Sequence, residues 1–139
     1  MSSASIPVSH LDLITRAGVA TLSTLSADRS IQSSLAWFDY CNDVFTINVV
    51  DSSAKAKNLE RHPQATLLIM DSGNVDRYLS VRCEVKQFQK DGAISHLDKL
   101  TQRNTDNGRW YGGAVQENPQ EAAHRVIVGL KPVRVYCAE

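Results

Sequence analysis

From Val19 onward the chain alternates apolar and polar positions with a period of two, in short runs separated by polar turns. VATLSTL (19–25) alternates, SADRS turns, and IQSSLAWF (31–38) follows. DYCND then turns into VFTINVV (44–50). Each run predicts a strand with one face buried. QATLLIMD (64–71) is a nearly continuous apolar run and predicts a buried strand, SGNVD a loop, and RYLSVRCEVKQFQ (77–89) a long alternating strand. HRVIVGLKPVRVY (124–136) predicts a last strand, bent near LKP.

The period lengthens to that of a helix in three places. SHLDLITRAG predicts a first helix with Ser9 as cap, Leu11, Ile14 and Ala17 on one face, and Gly18 as its stop. DGAISHLDKLTQRN predicts another, with Asp91 as cap and Ile94, Leu97 and Leu100 at helical spacing. Between them, DSSAKAKNLERHP (51–63) predicts a short helix capped by Ser52 or Ser53 and ended by His62-Pro63, because the residue before proline is pushed out of helical geometry. Six strands joined mostly by tight turns, with helices inserted, predict a mainly β (α+β) antiparallel barrel rather than a doubly wound parallel sheet. The segment from Thr105 to Ala123 is long for a loop inside a compact domain, which marks it as functional or disordered.

Composition changes this picture little. The 139 residues suit one domain, and 15 Lys+Arg balance 15 Asp+Glu, so no global field draws the chain to nucleic acid or a membrane. No apolar run is long enough to span a bilayer, and MSSASIPVSHLDL lacks the basic start and apolar core of a signal peptide. Three widely spaced cysteines without a CxxC fit a reducing, cytoplasmic setting. There is no GxGxxG, P-loop, GxSxG or HExxH, and the four histidines stand apart from one another.

What remains is local. Lys55 and Lys57 fall in the first turn of their helix, where the macrodipole disfavours cations, and residues two apart do not share a face. A phosphate held by the opening amides, the Ser52 and Ser53 hydroxyls and the two lysines removes that conflict. The plain alternative is a surface helix in which Lys57 pairs with Glu60 or Arg61 snorkels. Gln32 and Ser34 give the second strand a neutral polar face, suited to the edge of a heteroaromatic ring or simply to solvent. RWYGG places Trp110 and Tyr111 either as a lid over a flat ligand or as an anchor for the long loop.

Taken in order, VATLSTLSADRSIQSSLAWF, FTINVVDSSAKAKNLERHPQATLLI, RYLSVRCEV, HLDKLTQRN and HRVIVGLKPVRVY resemble the pyridoxamine 5'-phosphate oxidase-like split β-barrel superfamily. Within it they are most similar to the short deazaflavin (coenzyme F420)-dependent oxidoreductases. The resemblance runs from about Leu11 to Tyr136, and AKAKNLERHPQATL is its most specific element. It implies one split-barrel domain over residues 1–139 and a homodimer with a cofactor in the groove between the barrels. Lys55 and Lys57 would then hold the cofactor phosphate, Ser53 and Asn58 would assist, and Gln32 and Ser34 would line the ring. Arg77 and Tyr78 would open the strand that approaches the partner's site. Cys83 stands where the family usually has glycine, Asn104 stands near a usual tyrosine, and the RWYGG loop has no counterpart in the pattern.

The function so implied is hydride transfer between bound F420 and a small conjugated or unsaturated substrate, with the proton coming from water or from Tyr111, the one candidate catalytic side chain. FMN, which carries one phosphate below a similar ring, is the alternative cofactor. A groove rim of Arg29, Arg61 and Arg77 would favour the polyanionic deazaflavin. The chain has no added basic segment for a second phosphate, which argues against pyridoxamine phosphate oxidation itself. A carrier that binds flavin, F420 or haem without turnover is the non-enzymatic alternative.

Overall fold

The computed structural model describes residues 4–16 and 18–139. After a 3₁₀ turn (Val8–His10) and α1 (Leu11–Thr15) come β1 (Val19–Leu25), β2 (Ile31–Trp37), β3 (Asp39–Cys41) and β4 (Val44–Val50). Then follow α2 (Ala54–Arg61), β5 (Gln64–Asp71), β6 (Asn74–Gln89), α3 (Ala93–Asn104), α4 (Pro119–Ala122) and β7 (Arg125–Ala138). All seven strands join one antiparallel sheet in the order β2-β1-β5-β6-β7-β4-β3.

The outermost strands of that order, β2 and β3, are separated in sequence only by Phe38. The sheet must therefore curl until its two edges meet, giving a half-barrel that is split there rather than closed by hydrogen bonds. Phe38 fills the seam. It is wholly buried, its ring lies 5.6 Å from that of Phe45, and its N–H donates to Gly18 O at 3.2 Å. A Cβ at Gly18 would sit 2.7 Å from the Phe38 ring, so glycine is required there by close approach. The period-two alternation puts Ala20 and Leu22 of β1, Phe45, Ile47 and Val49 of β4, and Leu67 and Ile69 of β5 inside. Leu79 and Val81 of β6 and Val126, Val128 and Leu130 of β7 complete the core.

Four expectations need correction. Among the described residues the strand count is seven, because Asp39–Cys41 pairs with β4 across a two-residue turn. Asn42 and Asp43 both have positive φ there, as a type I′ hairpin requires, and three residues are too few to show a period. β6 begins at Asn74, so most of SGNVD is strand and only a tight turn at Ser72-Gly73 remains. α1 ends at Thr15 without a side-chain cap from Ser9, whose hydroxyl instead meets His10 Nδ1 at 2.8 Å; Ala17 lies outside the described residues. α3 takes Gly92, at φ 79°, as its N-cap in place of Asp91, and its buried face carries Ala93, Leu97, Leu100 and Thr101 while Ile94 is exposed.

The bend near LKP has a covalent cause. Pro132 has no N–H to give the ladder, and the β6–β7 register steps past Val133 at that point, a bulge that bends the strand. His10, fully buried, donates from Nε2 to Ala138 O at 2.7 Å and ties the N-terminal turn to the end of β7. It is a structural histidine.

Candidate functional site

α2 starts where β4 stops. Ser53 is its N-cap, accepting the Ala56 N–H at 3.3 Å, so the choice between the two serines falls on Ser53. The amides that open the helix have no intrahelical acceptors and point out of its N-terminus. Register places the first residue of β7 directly beside this point, because Val50 pairs with Arg125.

The two lysines leave α2 on different sides. Lys57 is exposed and makes no ion pair with Glu60 or any other described carboxylate. Lys55 is half-buried and lines a cavity of about 330 Å³ with Val19, Leu35, Trp37, Asn48, Trp110 and Arg125, closed below by Leu97 and Leu100. Among the described residues Lys55 has no carboxylate partner. Burial, and secondarily the Arg125 charge, pull its pKa below the ordinary lysine value. Trp37 and Trp110 stand edge to face at 5.6 Å on the same wall. The cavity thus combines aromatic and aliphatic sides with two cations and an amide, a lining that suits an anion attached to a flat ring.

A hydrogen-bonded chain fixes the polar wall. Asn48 Nδ2 donates to Ala93 O at 2.8 Å and to His96 Nδ1 at 3.1 Å, leaving Oδ1 to accept from Arg125 at 3.4 Å. His96 Nδ1 is therefore unprotonated, and Nε2–H donates to Thr46 Oγ1 at 2.9 Å. Burial holds the His96 pKa below 6.5, against a smaller pull upward from Asp39. The unfolded chain takes up this proton before the folded one, so His96 lowers stability as pH falls from about 6.5. We expect the thermal midpoint of wild type to drop more between about pH 7.5 and about pH 5.5 than that of His96→Gln. Parallel profiles from differential scanning calorimetry would show that His96 is not kept neutral.

Asn58 and Gln32 come together away from this cavity. Asn58, 5% exposed, donates to Gln32 Oε1 at 2.9 Å and to Thr24 Oγ1 at 3.1 Å, and accepts from Arg61 at 3.3 Å. Both of its N–H groups are committed, so its place is that of a strut between α2 and the β1–β2 hairpin rather than a phosphate donor. Gln32 and Ser34 pair across the ladder with Thr24 and Leu22, so they face the inner side of the sheet toward α2. Arg61 is thus tied to Asn58, and Arg29 occupies the hairpin turn at φ 72°.

Three further expected residues lie elsewhere. Arg77 is clamped by Asp12 at 2.6 and 3.0 Å, by Asp71 at 3.1 Å and by Ser9 O at 2.6 Å, so it locks α1 to the β5–β6 hairpin. Tyr78 lies beside Tyr136 on the outer face of β5–β7. Within one chain, neither reaches the Lys55 cavity. Tyr111 is 8% exposed, donates its hydroxyl hydrogen to Glu121 Oε2 and accepts from Arg125 Nε at 3.0 Å. Burial, with Glu121, raises its pKa. It anchors the long loop, and Trp110, not Tyr111, lines the cavity. Cys83 is buried, and its thiol is pushed up to about 12, which makes it inert.

Three comparisons bear on the whole chain. Residues 7–137 match the family model described as pyridoxamine 5'-phosphate oxidase. Among solved structures, an F420 reductase superposes with a TM-score of 0.81 at 25% identity, covering 94% of this chain and 98% of that one. A conserved hypothetical protein of Mycobacterium tuberculosis gives 0.71 at 18% identity, over 100% and 88% of the two chains. The haem storage protein HutZ of Vibrio cholerae gives 0.68 at 13% identity, over 94% and 92%. The last two share the fold alone. No curated protein matches the sequence significantly.

Proposed function

Because the chain belongs to the pyridoxamine 5'-phosphate oxidase family, we propose that it is an oxidoreductase working with a phosphate-bearing deazaflavin, F420, or alternatively FMN. The observation that carries this reading is Lys55: a half-buried cation without a carboxylate partner among the described residues, in an aromatic-walled cavity at a helix N-terminus. Such a cation is unfavourable alone and favourable beside a phosphate. The resemblance to an F420 reductase over nearly the full length of both chains supports the deazaflavin over the flavin.

The cofactor, when bound, supplies hydride chemistry at its ring. The protein contributes position. Ser53 caps α2 and holds its opening amides toward the cavity, Lys55 supplies charge, and Lys57 adds a second, exposed charge at the rim. The Thr24–Asn58–Gln32 strut fixes α2 against β2, so that Lys55 keeps one distance from Leu35 and Trp37 of that strand. The substrate is a small conjugated or unsaturated molecule, and no side chain is needed as a general acid.

A second copy of the chain completes the site in this reading. Leu68, Met70, Val75 and Tyr136 are exposed on the outer face of β5–β7, around a groove of about 720 Å³ that also includes Tyr78. Exposed apolar side chains gathered on one sheet face suit an interface between like chains.

The test is turnover. Purified protein with chemically reduced F420, or reduced FMN, is offered a panel of conjugated acceptors while cofactor oxidation is followed anaerobically. Oxidation of many equivalents of cofactor per protein supports the enzyme. Tight binding with one equivalent or none oxidised points to the carrier, a role that HutZ, a haem storage protein, shows this fold can host.

A further inference from the structure

We propose that Arg125 is the second cation of the Lys55 cavity, and that Tyr111 and Glu121 are positioning residues that aim it at a phosphate. The inference rests on the cofactor reading above and deepens it: the long 105–123 segment, which the resemblance leaves without a role, becomes the brace of the anion site.

The geometry is specific. Arg125 opens β7, its side chain is 12% exposed, and it lines the cavity that Lys55 lines. Its Nε donates to Tyr111 Oη at 3.0 Å and one Nη1 donor reaches Asn48 Oδ1 at 3.4 Å. The Glu121 carboxylate stands 3.7 Å from Nη2, near enough to attract but beyond a hydrogen bond. A guanidinium has five N–H donors in a fixed fork, so the far edge of the fork, on Nη1 and Nη2, keeps donors for a ligand. A planar fork with a free edge next to an unpaired ammonium is a fitting receptor for a phosphate.

Tyr111 sets which edge stays free. Its single hydrogen goes to Glu121 Oε2, so a lone pair must face Arg125 Nε–H. Its ring also lies under the guanidinium, 5.7 Å from the ring centroid to Cζ. Neither Tyr111 nor Glu121 lines the cavity, so both act through Arg125. They hold one edge of the fork from behind and turn the other toward Lys55. Tethering of the loop by Arg125 is the competing, purely structural explanation, and it makes no distinction between ligands with and without phosphate.

That distinction is the experiment. Wild type, Arg125→Gln, Arg125→Lys and Tyr111→Phe are titrated with FMN and riboflavin, and with F420 and its phosphate-free deazariboflavin. We expect Arg125→Gln to weaken the phosphate-bearing ligand of each pair about ten- to a hundredfold and leave the phosphate-free one within about twofold. Arg125→Lys should recover part of the loss. Tyr111→Phe should weaken only the phosphate-bearing ligands, about three- to tenfold. Equal weakening of both members of a pair, or no change in either, overturns the inference while leaving the cofactor reading intact. If wild type binds none of the four, the cofactor reading fails. Inorganic pyrophosphate then decides the anion site: a rise in thermal midpoint in wild type that is lost in Arg125→Gln sustains it, and no rise in wild type overturns it.

Discussion

A Lys55→Ala protein should bind F420 or FMN roughly 30- to 150-fold more weakly than wild type, while Lys57→Ala changes affinity by less than about fivefold. The asymmetry follows from placement. Lys55 is half-buried on the cavity wall with no acid beside it, whereas Lys57 is exposed on another side of the helix and already solvated. A charge-assisted hydrogen bond to a buried anion contributes about 2–3 kcal/mol, and an exposed ion pair well under 1 kcal/mol. Removing Lys55 also removes a cation that repels Arg125, so the unliganded protein should be no less stable than wild type. Thermal melts beside the titrations check this. A Lys55→Ala protein that melts earlier and binds normally would mean the lysine packs rather than binds.

The second large effect concerns the fold that supports the site. Asn58→Ala should cost about 2–4 kcal/mol of stability, and lower the melting temperature by roughly 10 °C for a domain this size. The substitution deletes the amide that joins Thr24, Gln32 and Arg61, and leaves Thr24 Oγ1, on a buried side chain, without its donor. An unsatisfied buried group costs more than a lost surface bond. Because α2 is then free to shift from β2, affinity for riboflavin and FMN should fall together. A selective loss of FMN binding would instead make Asn58 a phosphate ligand, the role the family resemblance implies for it.

How much of this was legible in the chain differs from element to element. VATLSTL and VFTINVV form strands at the residues their alternation marks, because a period of two with one apolar face has few other solutions. The apolar run of QATLLIMD forms the expected strand but buries only alternate residues, leaving Leu68 and Met70 exposed. Ser53 and His62-Pro63 bound α2 for reasons internal to those residues. β3 was not legible, since three residues carry no period and only the paired positive φ values of Asn42 and Asp43 create it. Nor was the start of α3 at Gly92, whose left-handed backbone opens the helix with no side-chain cap bond where Asp91 was expected to supply one.

The site divides in the same way. Lys55 stands out because a cation in a first helical turn is locally wrong, a conflict visible in sequence. Arg125 does not, because an arginine opening a strand is unremarkable until register sets it opposite Val50 and beside α2. Arg77 and Tyr111 show the reverse case. Both looked available in sequence, and both are tied into the fold by partners 65 and 10 residues away, contacts that no local pattern encodes.

The central claim is that the Lys55 cavity takes the phosphate of a flavin-like cofactor. Trp37 and Trp110 both line that cavity, so their fluorescence reports its occupancy directly. The decisive measurement is a titration of wild-type protein with F420 and, separately, with FMN, following tryptophan quenching and repeated in excess inorganic phosphate. We predict saturable quenching by F420, or by FMN, with phosphate displacing the ligand competitively. Saturable binding that phosphate leaves untouched, or no binding of either cofactor, would contradict the account.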